Sequence, residues 1–328
     1  MRITIYGAGS WGTALACLLS RNGHQISLWS YESDHVVHLQ KDRENKWFLP
    51  GIKLPPQLIV SNDYDIGATA QLVVFAVPSK AVGNVALAAA PYIGDDALIV
   101  NVGKGFFPEN QKRLSEVIGE ILPHHPVLTL SGPSHAEEVA QNLSTTVVVA
   151  GRDVSLLHKV QDVFMNETFR VYPNTDQIGV EVGGAVKNVI GLGAGVTVGL
   201  CQGDNAKAAL ITRGLAEMKR LGVAMGAQPA TFSGLAGMGD LIVTCNSMHS
   251  RNYRAGVEIG RGRPWQEVLA ETSMVVEGVY ATEATYKLAQ KYQVEMPITE
   301  QIYKMLYENQ SPQDAMRQLM TRAKSSEE

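Results

Sequence analysis

A lysine in the second half of the chain stands in a setting that suits proton transfer. Lys187 lies among glycine, alanine, valine and isoleucine at residues 182–191, in a pattern typical of a helix. Burial lowers the pKa of a lysine, whose amine can then accept a proton near neutral pH. Since each glycine costs a helix about 1 kcal/mol relative to alanine, another group is expected to approach this backbone closely. The alternative is an ordinary helix lysine whose amine reaches solvent.

Two stretches after Lys187 could complete a site for an anionic substrate. Asp240 follows a glycine-rich segment, and on its own it would be interpreted as a helix cap. Arg251 stands between Ser250 and Asn252, two short side chains that form hydrogen bonds. A guanidinium group offers paired donors that match a phosphate, although an arginine in solvent is the alternative for this segment alone.

Two polar turns in the first half follow apolar runs directly. Lys104 stands between two glycines after the run at residues 98–102, while Gly132 and Ser134 belong to the turn after residues 127–130. Ligands of open α/β sheets bind at such carboxyl ends of strands, and free N–H groups in the second turn could hold an anion or a nicotinamide amide. The alternative for that turn is a capping box formed by Ser134 and Glu137.

These residues need a scaffold, and the N-terminus gives its clearest signal. An apolar run at residues 3–6 leads into Gly7-x-Gly9-x-x-Gly12 and then into a helical pattern. In dinucleotide-binding folds the first glycine forms the turn, the second lets the backbone approach the pyrophosphate, and the third allows the helix to pack on the strand. Glu32 follows the second apolar run, where an acid binds the ribose 2′-hydroxyl. The segment predicts a site for a dinucleotide.

The remaining pattern predicts an α/β fold with two domains. Eight short apolar runs predict strands at residues 3–6, 26–29, 58–60, 72–77, 98–102, 127–130, 146–150 and 169–172. Their continuous Val, Ile and Leu content is typical of a mostly parallel sheet covered on both faces. We therefore expect a Rossmann-like doubly wound domain at residues 1–175 and an all-α domain at residues 176–328, with a helix start at Thr175-Asp176. Residues 47–56 predict a loop over the sheet edge.

Composition excludes several classes of function. The formal net charge is −4 with scattered basic residues, which does not favour nucleic acid or an anionic membrane as a partner. The three cysteines are far apart and the histidines show no metal-ligand spacing, so we expect neither disulfides nor a metal. No signal-peptide pattern precedes the first strand, and the longest uncharged apolar stretch is too short to cross a bilayer. These features predict a cytoplasmic protein without membrane insertion.

Six motifs, taken together and in this order, make the whole chain resemble the bacterial NAD(P)-dependent glycerol-3-phosphate dehydrogenases. They are Gly7–Ala16, Lys104-Gly105, Ser131–Ser134, Gly183–Asn188, Gly239–Leu241 and Ser250–Asn252. The resemblance implies reversible hydride transfer between sn-glycerol 3-phosphate and dihydroxyacetone phosphate, with NAD or NADP as cofactor. It also implies that the product supplies glycerophospholipid synthesis.

The resemblance implies a role for each matching residue. Lys187 would be the proton acceptor, with Lys104 beside it holding substrate and Asp240 orienting either Lys187 or a substrate hydroxyl, and these three form the catalytic set. The cofactor set is Gly7, Gly9, Ser10, Trp11, Gly12, Tyr31, Glu32, Lys104, Ala136, Arg251, Val275 and Glu277. The substrate set is Lys104, Gly132, Ser134, Lys187, Asp240, Ser250, Arg251 and Asn252, with the phosphate chiefly at Arg251 and Asn252.

Two positions depart from the family pattern, and two other functions compete. Many relatives carry Arg or His just after the second strand, which would favour NADPH, whereas Glu32 here favours NAD without deciding between the cofactors. His135 replaces the aromatic residue that is usual in the family. A β-hydroxyacid dehydrogenase would share the fold but would not need Ser250–Asn252 with Lys104. A non-enzymatic NAD(H)-sensing module would not need Lys187 and Asp240. The apolar helical half makes a homodimer reasonable.

Overall fold

The computed structural model describes residues 1–272 and 274–323, so the final residues of the expected second domain, 324–328, lie outside the described part. Its strands are β1 (Arg2–Tyr6), β2 (Gln25–Trp29), β3 (Glu44–Asn45), β4 (Leu49–Lys53), β5 (Ile59–Ser61), β6 (Leu72–Phe75), β7 (Leu98–Asn101), β8 (Val127–Ser131), β9 (Thr145–Ala150) and β10 (Phe169–Asn174). Its α-helices are α1 (Ser10–Arg21), α2 (Ser33–Asp42), α3 (Val82–Ala89), α4 (Leu114–Ile121), α5 (Ala136–Ala140), α6 (Val154–Phe164), α7 (Gln177–Gly199), α8 (Gly203–Ala224), α9 (Asp240–Asn246), α10 (Arg251–Gly260), α11 (Trp265–Ala270), α12 (Glu277–Tyr292), α13 (Pro297–Tyr307) and α14 (Pro312–Met320).

The expected doubly wound sheet is confirmed. Eight strands lie in the order β10-β9-β8-β7-β6-β1-β2-β5, and all neighbours are parallel except β8 and β9. Strands β6 and β7 are buried along their whole length, which explains why they show continuous apolar runs. Because β8, β7, β6, β1 and β2 are parallel, their ends meet at one side of the sheet, here called the carboxyl edge. The strand order reverses between β1 and β6, where ligands of such sheets bind.

The loop predicted at residues 47–56 contains a strand instead. Strand β4 pairs antiparallel with β3, with Glu44 opposite Lys53 and Asn45 opposite Leu49. The hydrophobic pattern of the sequence does not predict this hairpin, because β3 has only two residues, both polar, and β4 contains a proline and a glycine. The hairpin places Asn45 in the interior, where none of its surface is exposed.

Helix α7 is the centre of the helical part. Asp176 caps it by accepting a hydrogen bond from the Gly179 N–H at 3.0 Å, and every residue from Gly179 to Thr197 is buried. By length and composition α7 could cross a membrane, but 89% of its apolar window is buried inside the protein. It is therefore a core helix here.

The glycines of α7 are explained largely by contact between helices. A Cβ atom on Gly195 would collide with the Tyr253 carbonyl oxygen of α10, and one on Gly256 of α10 would collide with the Leu192 carbonyl oxygen of α7. The group that the sequence predicted to approach the backbone of α7 is thus helix α10 along much of the length of α7. The two backbones touch, which leaves little freedom for one to move against the other.

Candidate active site

Two lysines meet at one buried carboxylate. The Nζ of Lys187, from α7, lies 2.6 Å from Oδ1 of Asp240, and the Nζ of Lys104, from the loop after β7, lies 2.8 Å from Oδ2. Asp240 is the first residue of α9 and is only 1% exposed. We call these three residues the lysine cluster. It joins the carboxyl edge to the helical part and carries one more positive charge than negative.

Burial lowers the pKa of Lys187 to about 8, since the ammonium form loses its hydration. Asp240 opposes this shift, while the positive charge of Lys104 adds to it. The Lys187 amine also donates to the Thr244 hydroxyl at 2.8 Å. A neutral amine has two hydrogens and one lone pair, so hydrogen bonds to Asp240 and Thr244 leave the lone pair free to accept a proton.

The turn after β8 is bound to Lys104. The Lys104 Nζ donates to the Gly132 carbonyl oxygen at 2.7 Å and lies 3.5 Å from the Ser134 hydroxyl, which itself donates to Gly132 at 2.9 Å. The alternative of a capping box at Ser134 is wrong, because α5 starts only at Ala136 and its N-cap residue is His135, which makes no side-chain cap hydrogen bond. Ser134 is thereby left at the lysine cluster.

Three unpartnered polar atoms lie near the carboxyl edge. Within residues 1–272 and 274–323, the buried side-chain atoms without a hydrogen-bond partner include Trp11 Nε1, Ser131 Oγ and His135 Nε2. Trp11 lies in the first turn of α1, Ser131 ends β8 and His135 precedes α5. A buried polar group without a partner is destabilising, so their grouping at one edge fits a polar ligand that supplies the missing bonds.

The glycine turn has a backbone conformation and an open space that suit a dinucleotide. Gly7 has a φ of 122°, a region that favours glycine, and a Cβ atom on Gly12 would collide with the Gly7 carbonyl oxygen. Packing within the protein therefore explains these two glycines. Around Gly9, in contrast, no atom outside residues 8–10 lies within 4 Å of an added Cβ atom. That open space, beside the Ser10 start of α1, suits the close approach of a phosphate to the helix N-terminus.

At the far side of the turn, Tyr31 and Glu32 follow β2 and are both exposed. Glu32 is the N-cap residue of α2. Both side chains can therefore be reached by the ribose of a dinucleotide bound along the carboxyl edge.

Arg251 and its neighbours form a second group of polar residues, here called the Arg251 group. Ser250 caps α10 by accepting from the Tyr253 N–H at 3.2 Å, and the Arg251 guanidinium donates to the Val275 carbonyl oxygen at 2.9 Å. Burial lowers the pKa of Arg251, and the nearby carboxylate of Glu277 partly offsets this. The Arg251 side chain is half-buried, so its guanidinium group is partly withdrawn from water, which would strengthen its bond to a phosphate.

Asn252 and Glu277 connect the Arg251 group to the rest of the site. Asn252 donates to the Asn188 side chain at 2.8 Å, and the Asn188 amide nitrogen lies 3.4 Å from the Lys104 carbonyl oxygen. Glu277, at the start of α12, accepts from both the backbone N–H (3.0 Å) and the hydroxyl (2.6 Å) of Ser79. Burial raises the pKa of the Glu277 carboxyl.

The structure thus places two groups of predicted residues together and adds partners that were not predicted. Lys104, Gly132, Ser134, Lys187 and Asp240 form one group, and Ser250, Arg251, Asn252, Val275 and Glu277 form the other. Ala136 is buried at the start of α5. The added partners are Ser79, Ser131, Asn188 and Thr244. Thr244 could have been found, since it lies four residues after Asp240 and therefore on the same helix face.

Comparison with known proteins decides between the functions that the sequence left open. The family model described as the N-terminus of NAD-dependent glycerol-3-phosphate dehydrogenase matches residues 2–157, and the model of the C-terminus matches residues 176–317. The chain belongs to the NAD-dependent glycerol-3-phosphate dehydrogenase family. A glycerol-3-phosphate dehydrogenase of Desulfitobacterium hafniense is 49% identical over 99% of this chain and 93% of its own length. One from Bacillus subtilis is 48% identical over 99% of this chain and 96% of its own.

Solved structures agree with membership of the glycerol-3-phosphate dehydrogenase family. The crystal structure of a glycerol-3-phosphate dehydrogenase from Coxiella burnetii matches with a TM-score of 0.95 and 40% identity, over 98% of this chain and 99% of that one. A ketopantoate reductase from Ralstonia eutropha, at a TM-score of 0.65 and 16% identity, shares the fold alone. Membership sets aside the β-hydroxyacid dehydrogenase and the NAD(H)-sensing module.

Proposed function

We propose that the reaction of this NAD(P)-dependent glycerol-3-phosphate dehydrogenase takes place at the lysine cluster. The enzyme interconverts sn-glycerol 3-phosphate and dihydroxyacetone phosphate. The observation that carries this proposal is the buried Lys187 amine, bound to Asp240 and Thr244, beside a second lysine at the carboxyl edge of a dinucleotide-binding sheet.

In the oxidation direction, the neutral Lys187 amine accepts the proton of the substrate C2 hydroxyl. Asp240 orients the amine and compensates the positive charge that forms on it, because its carboxylate already binds both lysines. Lys104, held by the Gly132 carbonyl oxygen, stabilises negative charge on the C2 oxygen. The bound dinucleotide supplies the hydride chemistry at C2.

The substrate phosphate is assigned to Arg251 and Asn252, with Ser250 beside them. For the dinucleotide we assign the pyrophosphate to Gly9, Ser10 and Trp11, the ribose to Tyr31 and Glu32, and the nicotinamide end to Ala136. Gly7 and Gly12 shape the turn, and Val275 and Glu277 border the cofactor next to Arg251. The unpartnered Trp11 Nε1 and the open space at Gly9 support the pyrophosphate assignment.

A steady-state assay tests the function. Purified protein is expected to oxidise NADH or NADPH when dihydroxyacetone phosphate is added, and to give little turnover with a carboxylate substrate such as acetoacetate. The same assay with both cofactors measures their preference, for which Glu32 favours NADH. Absence of turnover with both cofactors would refute the assignment.

The rate should follow the protonation of Lys187. For oxidation of glycerol 3-phosphate the amine must be neutral, so kcat/KM is expected to rise with pH and level off above the Lys187 pKa of about 8. For reduction of dihydroxyacetone phosphate the ammonium form donates the proton, so the rate is expected to fall through the same range. The affinity for NADH, measured by fluorescence over the same pH values, is the control. Oxidation and reduction rates that respond to pH in the same direction would contradict this role.

Four further properties are proposed with this function. The chain divides at residues 175/176 into a dinucleotide-binding domain and a helical domain, as the gap between the two family matches and the cap at Asp176 support. The protein is cytoplasmic and supplies glycerol 3-phosphate for glycerophospholipid synthesis. We also propose a homodimer, since apolar side chains such as Ile242 and Met248 are exposed on the helical part. Sedimentation velocity would measure the oligomeric state.

A further inference from the structure

A buried polar network lies beneath the glycine turn. The Asn45 side-chain amide donates to the Ala8 carbonyl oxygen at 2.8 Å and to the Thr13 hydroxyl at 2.7 Å. Its side-chain oxygen lies 3.2 Å from the Phe48 N–H and 3.0 Å from Nε2 of His35. The amide thus uses both hydrogens and both lone pairs, which fixes its orientation. We call Asn45, His35 and their partners the Asn45 network.

His35 extends this network towards the ribose end of the site. Its Nδ1 lies 2.8 Å from the hydroxyl of Ser30, the residue that follows β2 and precedes Tyr31. The imidazole is 1% exposed and stacks on Trp47 with ring centres 4.8 Å apart. Burial lowers the pKa of His35, so the ring is neutral and donates from Nε2 to Asn45 while accepting from Ser30 at Nδ1. One continuous set of hydrogen bonds therefore connects Ser30 with Ala8.

The bond to Ala8 fixes the direction of a peptide group in the glycine turn. In a trans peptide the C=O of Ala8 and the N–H of Gly9 point in opposite directions. Because Asn45 holds this carbonyl on the interior side, the Gly9 N–H points away from the interior. The position that a Gly9 side chain would occupy is also open. The Thr13 hydroxyl lies 3.4 Å from the same carbonyl oxygen and supports the same orientation.

We propose that Asn45 is a positioning residue for the dinucleotide, acting through the Ala8 peptide to aim the Gly9 N–H at the pyrophosphate. This inference rests on the proposed cofactor site but not on the identity of the substrate. A buried polar network that only anchored the β3–β4 hairpin would not need to reach the glycine turn, where backbone direction decides anion binding.

Replacement of Asn45 by aspartate tests the proposal. Asn45→Asp keeps the shape of the side chain but turns an acceptor towards the Ala8 carbonyl oxygen, which releases or reverses that peptide. We expect the dissociation constants of NADH and of ADP-ribose to rise by about tenfold or more, by similar factors, because both ligands contain the pyrophosphate. Fluorescence titration and calorimetry measure these constants without turnover, so a failure of the proposed reaction is distinguishable from a failure of this inference.

Asn22→Asp is the matched control. The Asn22 amide donates to the carbonyl oxygens of Val163 and Phe164 at 3.0 and 3.1 Å, in the same part of the fold but away from the glycine turn. We expect this variant to lose thermal stability while it binds NADH as the unmodified protein does. If Asn45→Asp fails to fold, Asn45→Ala is measured in its place, because alanine frees the Ala8 carbonyl without adding a charge. Unchanged binding of NADH or ADP-ribose by the folded Asn45 variant, or equal weakening in Asn22→Asp, would overturn the proposal.

Discussion

Lys187→Met is expected to lower kcat for both directions of the reaction by about 10³-fold or more, since general acid–base catalysis contributes on the order of 10²–10⁴-fold. Methionine fills a similar volume without a titratable group. Asp240 keeps its bond to Lys104, so no unpaired buried carboxylate is left behind. The large loss should therefore report the missing proton acceptor rather than a collapsed site.

Two measurements separate this loss from general damage. NADH binding by Lys187→Met should stay within about twofold of the unmodified protein, because the proposed pyrophosphate and ribose sites lie at the carboxyl edge and the start of α1, and not on α7. Lys287→Met applies the same substitution to an exposed lysine of α12 that pairs with Glu283, and it should leave kcat unchanged. A Lys187→Met enzyme that retained most of its kcat would remove Lys187 from the proposed role.

Arg251→Gln is expected to raise KM for dihydroxyacetone phosphate on the order of 100-fold, since a guanidinium–phosphate contact is among the stronger hydrogen-bonded pairs. Partial burial of Arg251 strengthens its attraction for a dianion. Dihydroxyacetone, which lacks the phosphate, provides the critical comparison. Its slow reduction should be nearly the same in Arg251→Gln and in the unmodified enzyme, so the preference for the phosphorylated substrate should fall.

Arg254→Gln is the control for this experiment. Arg254 lies one turn further along α10, is exposed and donates to the Met248 carbonyl oxygen. Its replacement should leave KM unchanged. If Arg251→Gln lowered the rates with dihydroxyacetone and with its phosphate equally, the phosphate would have to be bound elsewhere.

Much of the fold could be predicted because burial on both faces leaves a direct trace in the sequence. Strand β6 has apolar residues at every position, and β7 has them at every position except the buried Asn101 at its end, which a half-exposed strand would not show. The β3–β4 hairpin could not be predicted in the same way. Its pairing depends on two polar residues. Asparagine is typical of exposed loops, yet Asn45 is fully buried.

The site was predictable where a residue type and its neighbours already restricted the chemistry. Lys187 stood in an apolar helix, and its burial follows from that pattern. The contact between Lys104 and Asp240 joins residues 136 positions apart, and no local pattern encodes it. The capping box at Ser134 failed for a related reason, since the start of α5 depends on how the turn after β8 leaves the sheet.

The close packing of α7 on α10 determines how the site responds when the two parts of the protein move. Lys187 lies on α7 and Arg251 begins α10, so their backbones form one rigid unit through the glycine contacts. The distance from the proposed proton acceptor to the proposed phosphate site is consequently fixed. A hinge motion of the helical part against the sheet would leave this spacing unchanged, but it would stretch the bonds that cross between the two parts, from Lys104 to Asp240 and from Ser79 to Glu277.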